Sequence, residues 1–286
     1  MKLPIKPMLA HTFQEKKGLT PSIIQPKLDG MRCIAKLENG KCELWSRGGK
    51  RITSAPHVVN RIEKQFAKDH RLLILDGELY IHGIPFESVI SQARKDVTIG
   101  DGSLEYWVYD CIYAIPKGKE ELPLVEPEDS FLDRYYYLKS LESDDRFGDC
   151  LILLRGIKTS TVEHVKKKLA DFIEEGFEGA IIRDIGGQYT FGRSHALLKY
   201  KIFDTSDYKI VGVLEGVGTM KGCAVFVCEV GKKEFRCKLV GEFFELRKFW
   251  KDPSLVVGKK LTVKHFGFTN GKMPRFPIGL IVRDYE

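Results

Sequence analysis

The apolar positions fall into short runs broken by charged, Gly- and Pro-containing segments, with helical stripes between them. Residues 22–48 predict paired strands. Ile23-Ile24 enters a charged stretch and Met31 to Leu37 leaves it. Cys42 to Ser46 returns after Glu38-Asn39-Gly40-Lys41, whose Asn-Gly pair is a hairpin signal. Such a hairpin brings Arg47 back toward Lys27. Val58, Val59, Ile62 and Phe66 mark the buried stripe of a helix over about residues 56–69. Leu72 to Leu75 is a short apolar strand with Asp76-Gly77-Glu78 at its end, and Leu79-Tyr80-Ile81 resumes the strand, leaving Glu78 to point out of a sheet. Phe86 to Arg94 is a short amphipathic helix, Leu104 to Tyr113 a buried strand, and Pro116 to Pro127 an acidic, proline-rich surface loop. Helices follow over 130–142 and 161–175. The second has Ser160 as N-cap, Val162, Val165, Leu169, Phe172 and Ile173 as its stripe and Gly176 as its stop.

This alternation describes an α+β domain with antiparallel sheets. After Phe203-Asp204-Thr205-Ser206 the texture changes to short strands, Tyr208 to Leu214, Ala224 to Glu229, Glu234 to Leu239 and Lys259 to Phe266, with one helix near 242–251. These four with a fifth that the pattern does not delimit, and a helix, fit a small OB-type β-barrel, a fold that commonly carries nucleic acid. The expected domains are residues 1–204 and 205–286.

At 286 residues, 43% hydrophobic and 30% charged, the chain has room for two cores and the composition of an ordinary soluble protein. No apolar run reaches the length of a membrane span, and the first ten residues lack the core of a signal peptide, so the expected location is cytoplasmic. Seven scattered cysteines without a C-x-x-C pair argue against a disulfide framework and a zinc site. A metal would then be held by carboxylates and phosphates, which points to magnesium. The net charge of +7 is uneven: from Asp207 onward 15 Lys and Arg stand against nine Asp and Glu, leaving 31 against 30 before it. A basic, β-rich C-terminal part suits a phosphate backbone, and equally a solvated surface.

Lys27-Leu28-Asp29-Gly30-Met31-Arg32 places three charges where burial would be costly, an unlikely core strand and a reasonable site. The lysine is a potential nucleophile, Gly30 allows close approach, and Asp29 and Arg32 offer an acceptor and a phosphate fork. Alone, the motif reads first as a solvated turn between two strands. It is followed in order by Ser46-Arg47-Gly48-Gly49, Leu75-Asp76-Gly77-Glu78-Leu79, Trp107-Val108-Tyr109-Asp110, Glu178-Gly179-Ala180-Ile181-Ile182-Arg183 and Leu198-Lys199-Tyr200-Lys201. This ordered set resembles that of the covalent nucleotidyltransferases, most closely the ATP-dependent DNA ligases. The likeness runs from Pro7-Met8-Leu9-Ala10 to Arg275-Phe276-Pro277.

The resemblance implies a nucleotidyltransferase domain (ATP-grasp-like) followed by an OB-fold. Its chemistry has three phosphoryl transfers: a lysine takes AMP from ATP, passes it to the 5′ phosphate of a nick, and the 3′ hydroxyl displaces it. Lys27 would be the nucleophile, attacking as a neutral amine with its pKa lowered by nearby cations and bound magnesium. Lys199 and Lys201, two apart on a strand, would hold the α-phosphate, and Asp29 would assist at the nick. Glu78 would bind the ribose, with Glu178 and Glu78 as candidate ligands for Mg2+ or Mn2+. Tyr109 and Ile181 would sandwich the purine. Arg32 and Arg47 would grip the nucleotide and then the nick phosphate, and Arg275 and Arg283 would orient the pyrophosphate. Gln25 matches a residue that reads the purine amino group, although an amide can accept from adenine or donate to guanine. Ile278 and Ile281 stand where the family is often basic.

The expected partner is nicked duplex DNA. Short barrel turns at Gly216 to Gly222 and Gly231 to Lys233, and the absence of a preceding DNA-binding domain, describe a minimal ligase, a monomer that encircles DNA only partly, with no protein partner evident. An mRNA capping guanylyltransferase or an RNA ligase shares the lysine motif, and a non-catalytic nucleic-acid-binding protein of the same fold is the alternative outside enzymes. The Ser-Arg-Gly-Gly and Arg-Phe-Pro stretches favour the DNA ligase, and Lys27, Glu78, Glu178, Lys199 and Lys201 together favour catalysis.

Overall fold

A computed structural model describes residues 5–94, 102–117, 124–269 and 271–283. The chain divides into two compact units, residues 1–200 and 201–286. The first contains β1 (Leu9–Thr12), β2 (Ser22–Lys27), β3 (Met31–Glu38), β4 (Lys41–Ser46), β5 (Arg51–Ile52), α1 (Pro56–Phe66), β6 (His70–Tyr80), α2 (Phe86–Arg94), β7 (Glu105–Pro116), α3 (Phe131–Ser143), β8 (Leu151–Leu153), β9 (Ile157–Thr159), α4 (Val162–Glu174), β10 (Gly179–Asp184) and β11 (Arg193–Tyr200).

These strands form two sheets, ordered β1-β11-β10-β2-β9 and β5-β4-β3-β6-β7-β8. Alternation of side chains along the strands gives each sheet two apolar faces. On β3, Cys33, Ala35 and Leu37 join Val58, Ile62 and Phe66 of α1 and Leu138 and Leu141 of α3 in the largest core. Ile34 points the other way, into a second cluster with Ile74, Ile112, Met8 and Leu197. Ile24 and Ile182 meet Val165, Leu169 and Phe172 of α4 in a third. The two sheets thus pack against each other with helices outside.

Several local expectations change. The β3–β4 hairpin turns at Asn39 and Gly40, both with positive φ (51° and 85°), as the Asn-Gly signal requires. The strand expected to break at Asp76-Gly77-Glu78 and resume at Leu79 runs unbroken as β6 to Tyr80, with bulges in its pairing to β7. Gly77 makes this continuation feasible, because a Cβ there would lie 2.6 Å from the Tyr106 ring and 2.5 Å from the Trp107 carbonyl oxygen. Thr161, not Ser160, caps α4, accepting from the His164 N–H at 3.2 Å. Ile173, expected in its buried stripe, is exposed. Of the loop expected over 116–127, residues 118–123 lie outside the described residues, while Val125 is buried and bridges Ala114.

The second unit contains β12 (Asp204–Glu215), β13 (Ala224–Val230), β14 (Lys233–Leu239), α5 (Phe243–Lys251), β15 (Lys260–His265) and β16 (Ile278–Arg283). The strands close a barrel in the order β12-β13-β14-β16-β15 around Tyr208, Ile210, Phe226, Phe235, Leu261 and Val263, with Leu246 of α5 joining that core. Closure removes exposed sheet edges. The mixed α+β unit followed by an OB-type barrel is the expected fold class, except that the sheets are not wholly antiparallel: the edge pairs β1–β11 and β7–β8 are parallel.

Candidate active site

The lysine motif sits where β2 ends and β3 begins. β2 pairs with β10 so that Lys27 lies opposite Gly179 and Gln25 opposite Ile181, and β10 pairs with β11 so that Ile181 lies opposite Lys199. Gln25, Ile181 and Lys199 therefore form one cross-strand row. The Glu178 N–H donates to the Lys27 carbonyl at 3.0 Å, fixing the glutamate beside the lysine. The Lys27 ammonium ion-pairs with the Glu178 carboxylate and donates to the Leu28 carbonyl at 3.2 Å. Both side chains are largely buried, 21% and 12% exposed.

That pairing reverses one expectation. Burial works against the Lys27 ammonium, but Glu178, Glu78 and Asp29 outweigh it and hold the pKa above its ordinary value. The nearest charged groups are acids, not cations. Burial likewise raises the Glu78 pKa against the opposing pull of Lys27, the Gly30 N–H and Arg32. Glu78 accepts from the Gly30 N–H at 2.9 Å, so the ends of the lysine motif and β6 are tied together.

Lys27, Gly30, Arg32, Ser46, Arg47, Lys50, Arg51, Glu78 and Arg94 line one cleft of about 1110 Å³. The hairpin places Arg47, which is exposed, in the same cleft as Lys27, as its sequence position implies. Cations outnumber the acids lining it, which suits phosphate. Arg32 is engaged elsewhere as well: its guanidinium grips Asp76, with Nε donating at 2.7 Å, and Asp76 also accepts from the Tyr189 hydroxyl at 2.6 Å.

Tyr109 is 7% exposed and packs with Leu28, Tyr80 and Leu154. Guanidinium carbons of Arg32 and Arg183 lie 5.3 and 4.9 Å from its ring centroid. Ile181 is half-buried against the cluster of Ile34, Ile74 and Ile112. Gln25 is buried, its Nε2 donating to the Leu154 carbonyl at 2.8 Å and its Oε1 accepting from Arg183 Nε at 2.9 Å. Asp29 is half-buried next to the cleft-lining Gly30.

Lys199 lies on β11, but that strand ends at Tyr200, so Lys201 does not share it. Lys201 belongs to the second unit, its ammonium 5.3 Å from the Phe266 ring and 6.0 Å from that of Phe276. Arg275 stacks its guanidinium 5.9 Å from Phe276. Arg283 donates through Nε to Thr262 Oγ1 at 2.8 Å, and Thr262 donates to Asp207 at 2.6 Å, which ties Arg283 into the barrel wall.

Motif reading gives no role to Asp76, Asp110, Arg134, Arg183 or Tyr189. Asp110 is fully buried and accepts from Arg134 Nε at 2.8 Å and Arg183 Nη1 at 3.0 Å. The signal was present, since Asp76, Asp110 and Arg183 lie inside the quoted motifs. Arg134, in a helix with six buried residues, had none.

Among the described residues no group of three or more His, Cys, Asp or Glu side chains is arranged to hold a metal. Two carboxylates, Glu178 and Glu78, with substrate phosphates completing the shell, fit Mg2+ better than a site made wholly of protein ligands. Among the described residues no helix is long and apolar enough to cross a membrane.

Residues 7–201 match the family described as the ATP dependent DNA ligase domain. The chain is 26% identical over 240 residues to the DNA ligase of African swine fever virus (strain Badajoz 1971 Vero-adapted), covering 79% of this chain but 52% of that protein. It thus spans about half the length of this curated relative. To the DNA ligase of Haemophilus influenzae it is 25% identical over 272 residues, 94% of this chain and 89% of the relative. A solved Lig E DNA ligase superposes with a TM-score of 0.75 at 24% identity, covering 98% of this chain and all of that one. A solved chain named Pmar-Lig_Pre gives 0.83 at 22%, covering 99% and 69%. These two likenesses bear on the fold, and the match over residues 7–201 on the family. The chain belongs to the ATP-dependent DNA ligase domain family.

Proposed function

We propose that this protein is an ATP-dependent DNA ligase that seals nicks in duplex DNA through a lysyl-AMP. One observation carries the reading: the Lys27 amine, paired with Glu178, lines a cleft whose other charged groups are mostly Arg and Lys. Lys27 Nζ attacks the α-phosphorus of ATP, the N–P bond forms, and the P–O bond to the β-phosphate breaks as pyrophosphate leaves. The lysine must surrender a proton to do so, and the adjacent Glu178 carboxylate is the nearest group placed to receive it. Glu178 and Glu78 would hold Mg2+, with Mn2+ suited to the same oxygens, and a cation bound there supplies positive charge to the oxygens of the transferring phosphate.

Glu78 also takes the ribose, with Tyr109, Ile181 and Gln25 on the purine and Lys199 on the α-phosphate. Arg32 and Arg47 bind the nick phosphate, a task suited to a guanidinium fork. Asp29 assists at the nick, Lys201 joins Lys199 on the α-phosphate, and Arg275 and Arg283 orient the pyrophosphate. Residues 1–204 act as the adenylyltransferase domain and 205–286 as the OB domain, in a monomer acting on nicked DNA.

The test is incubation with magnesium and α-labelled ATP or GTP, followed by denaturing electrophoresis and a chase with nicked duplex. A covalent label from ATP alone, lost as the nick is sealed and absent from Lys27→Ala with an unchanged melting temperature, is the expected result. Label on the Lys27→Ala protein would remove the central assignment, and label from GTP would favour capping chemistry.

A further inference from the structure

Gln25 and Tyr109 share a neighbour for which the phosphoryl chemistry has no use. Arg183, on β10 and 4% exposed, donates through Nε to Gln25 Oε1 at 2.9 Å and through Nη1 to Asp110 Oδ2 at 3.0 Å. Its guanidinium carbon lies 4.9 Å from the ring centroids of both Tyr109 and Phe131. Asp110 is held from behind by Arg134, whose Nε and Nη2 donate at 2.8 and 3.2 Å. On the far side, Gln25 Nε2 donates to the Leu154 carbonyl at 2.8 Å.

A guanidinium only donates and a carbonyl only accepts, so the amide of Gln25 is oriented from both ends. Rotating it by 180° would set its NH2 against the Arg183 N–H and its oxygen against the Leu154 oxygen. A free glutamine amide is ambivalent: it can accept from a 6-amino purine or donate to a 6-oxo purine. A clamped one offers each capacity in one fixed direction only. Two buried arginines on one aspartate are weak evidence of a stability device, since apolar groups of that size commonly serve the core as well.

We propose that Arg183 is a positioning residue for base recognition: anchored on Asp110, it fixes the amide of Gln25 and backs the ring of Tyr109, and so sets the site's discrimination between a 6-amino and a 6-oxo purine. The proposal rests on the reading that Gln25 contacts the purine.

The test uses the full chain and compares lysine labelling by ATP and by inosine 5′-triphosphate, which carries oxygen at position 6. Arg183→Met removes both donors at similar volume. Arg183→Lys keeps a buried cation for Asp110 without the Nε that reaches Gln25, and answers the question if the methionine variant does not fold. The ratio of kcat/KM for the two nucleotides should fall about tenfold in either folded variant, the scale of one charge-assisted hydrogen bond. The loss should come through a higher KM for ATP, with kcat nearly unchanged, a split that general loosening of the core would not produce. A folded Arg183 variant that keeps the wild-type ratio overturns the proposal. Gln25→Leu separates the two levels: a changed ratio there beside an unchanged one in Arg183→Lys removes only the positioning role. No change in either removes base reading by Gln25 and the proposal with it. A wild-type chain that takes no label from ATP would sink the nucleotidyl-transfer reading first.

Discussion

His70, at the start of β6, is fully buried, and its two nitrogens are both committed. Nδ1 lies 3.2 Å from the Phe66 carbonyl, which can only accept, so that nitrogen carries the proton and Nε2 accepts from the Tyr137 hydroxyl. Burial holds its pKa below the ordinary 6.5, Arg146 pushes the same way, and the Phe66 carbonyl and Asp69 only partly oppose them. The unfolded chain therefore binds a proton that the folded one refuses. The contribution of this neutral histidine is complete above about pH 6.5 and is lost as pH falls through that value toward the depressed folded pKa. His70→Gln, which keeps a donor and an acceptor, should lower the stability difference between pH 8 and pH 5.5 measured by urea midpoints. An undiminished difference would assign the acid sensitivity elsewhere. At this scale the sequence exposes the charged residues of the motifs and hides their partners. Lys27 and Glu178 stand out because charges in such motifs are improbable in a core. The buried pairs Asp76–Arg32 and Asp110–Arg183 depend on which strands adjoin, and spacing along the chain does not encode that.

At the scale of elements, local chemistry was read well where one signal dominated and less well where two adjacent residues could supply it. Asn39-Gly40 is a single strong turn, and the hairpin follows from it. Ser160 and Thr161 are both good N-caps, and sequence cannot choose between neighbours. The structure chooses Thr161, whose backbone is extended (φ −126°, ψ 146°) and whose hydroxyl oxygen takes the His164 N–H. Thr161→Ala should then cost about 1 kcal/mol of stability, the usual value of a cap, while Ser160→Ala should change it little. Equal losses in thermal or urea unfolding would show that the cap is shared. The sequence shows the strand resuming at Leu79 but not its unbroken run through Asp76-Gly77-Glu78, for a related reason. Asp76-Gly77-Glu78 carries turn-forming residues, yet tertiary packing overrides that preference: Gly77 yields space to the Tyr106 ring while the two acids turn to Arg32 and Gly30.

For the whole molecule, the change of texture near residue 204 anticipated a second body, and its physical basis is that the barrel closes around its own apolar residues. Phe226, Ile210, Leu261 and Val263 are fully buried within that cluster, whose described members all lie in the second unit. The fifth strand, β16, was not delimited in advance, because Ile278, Leu280 and Ile281 are exposed and give no alternating stripe. A core of this kind can fail without its neighbour. Phe226→Ala deletes a ring that makes an edge contact with Phe249 at 6.0 Å and should destabilise the barrel by about 3–5 kcal/mol. Hydrogen exchange should then show β12 to β15 losing protection while β2, β3 and β6 keep theirs. If the substitution instead strips protection from both units together, their stabilities are coupled, and the barrel must be counted as part of the framework that holds the lysine.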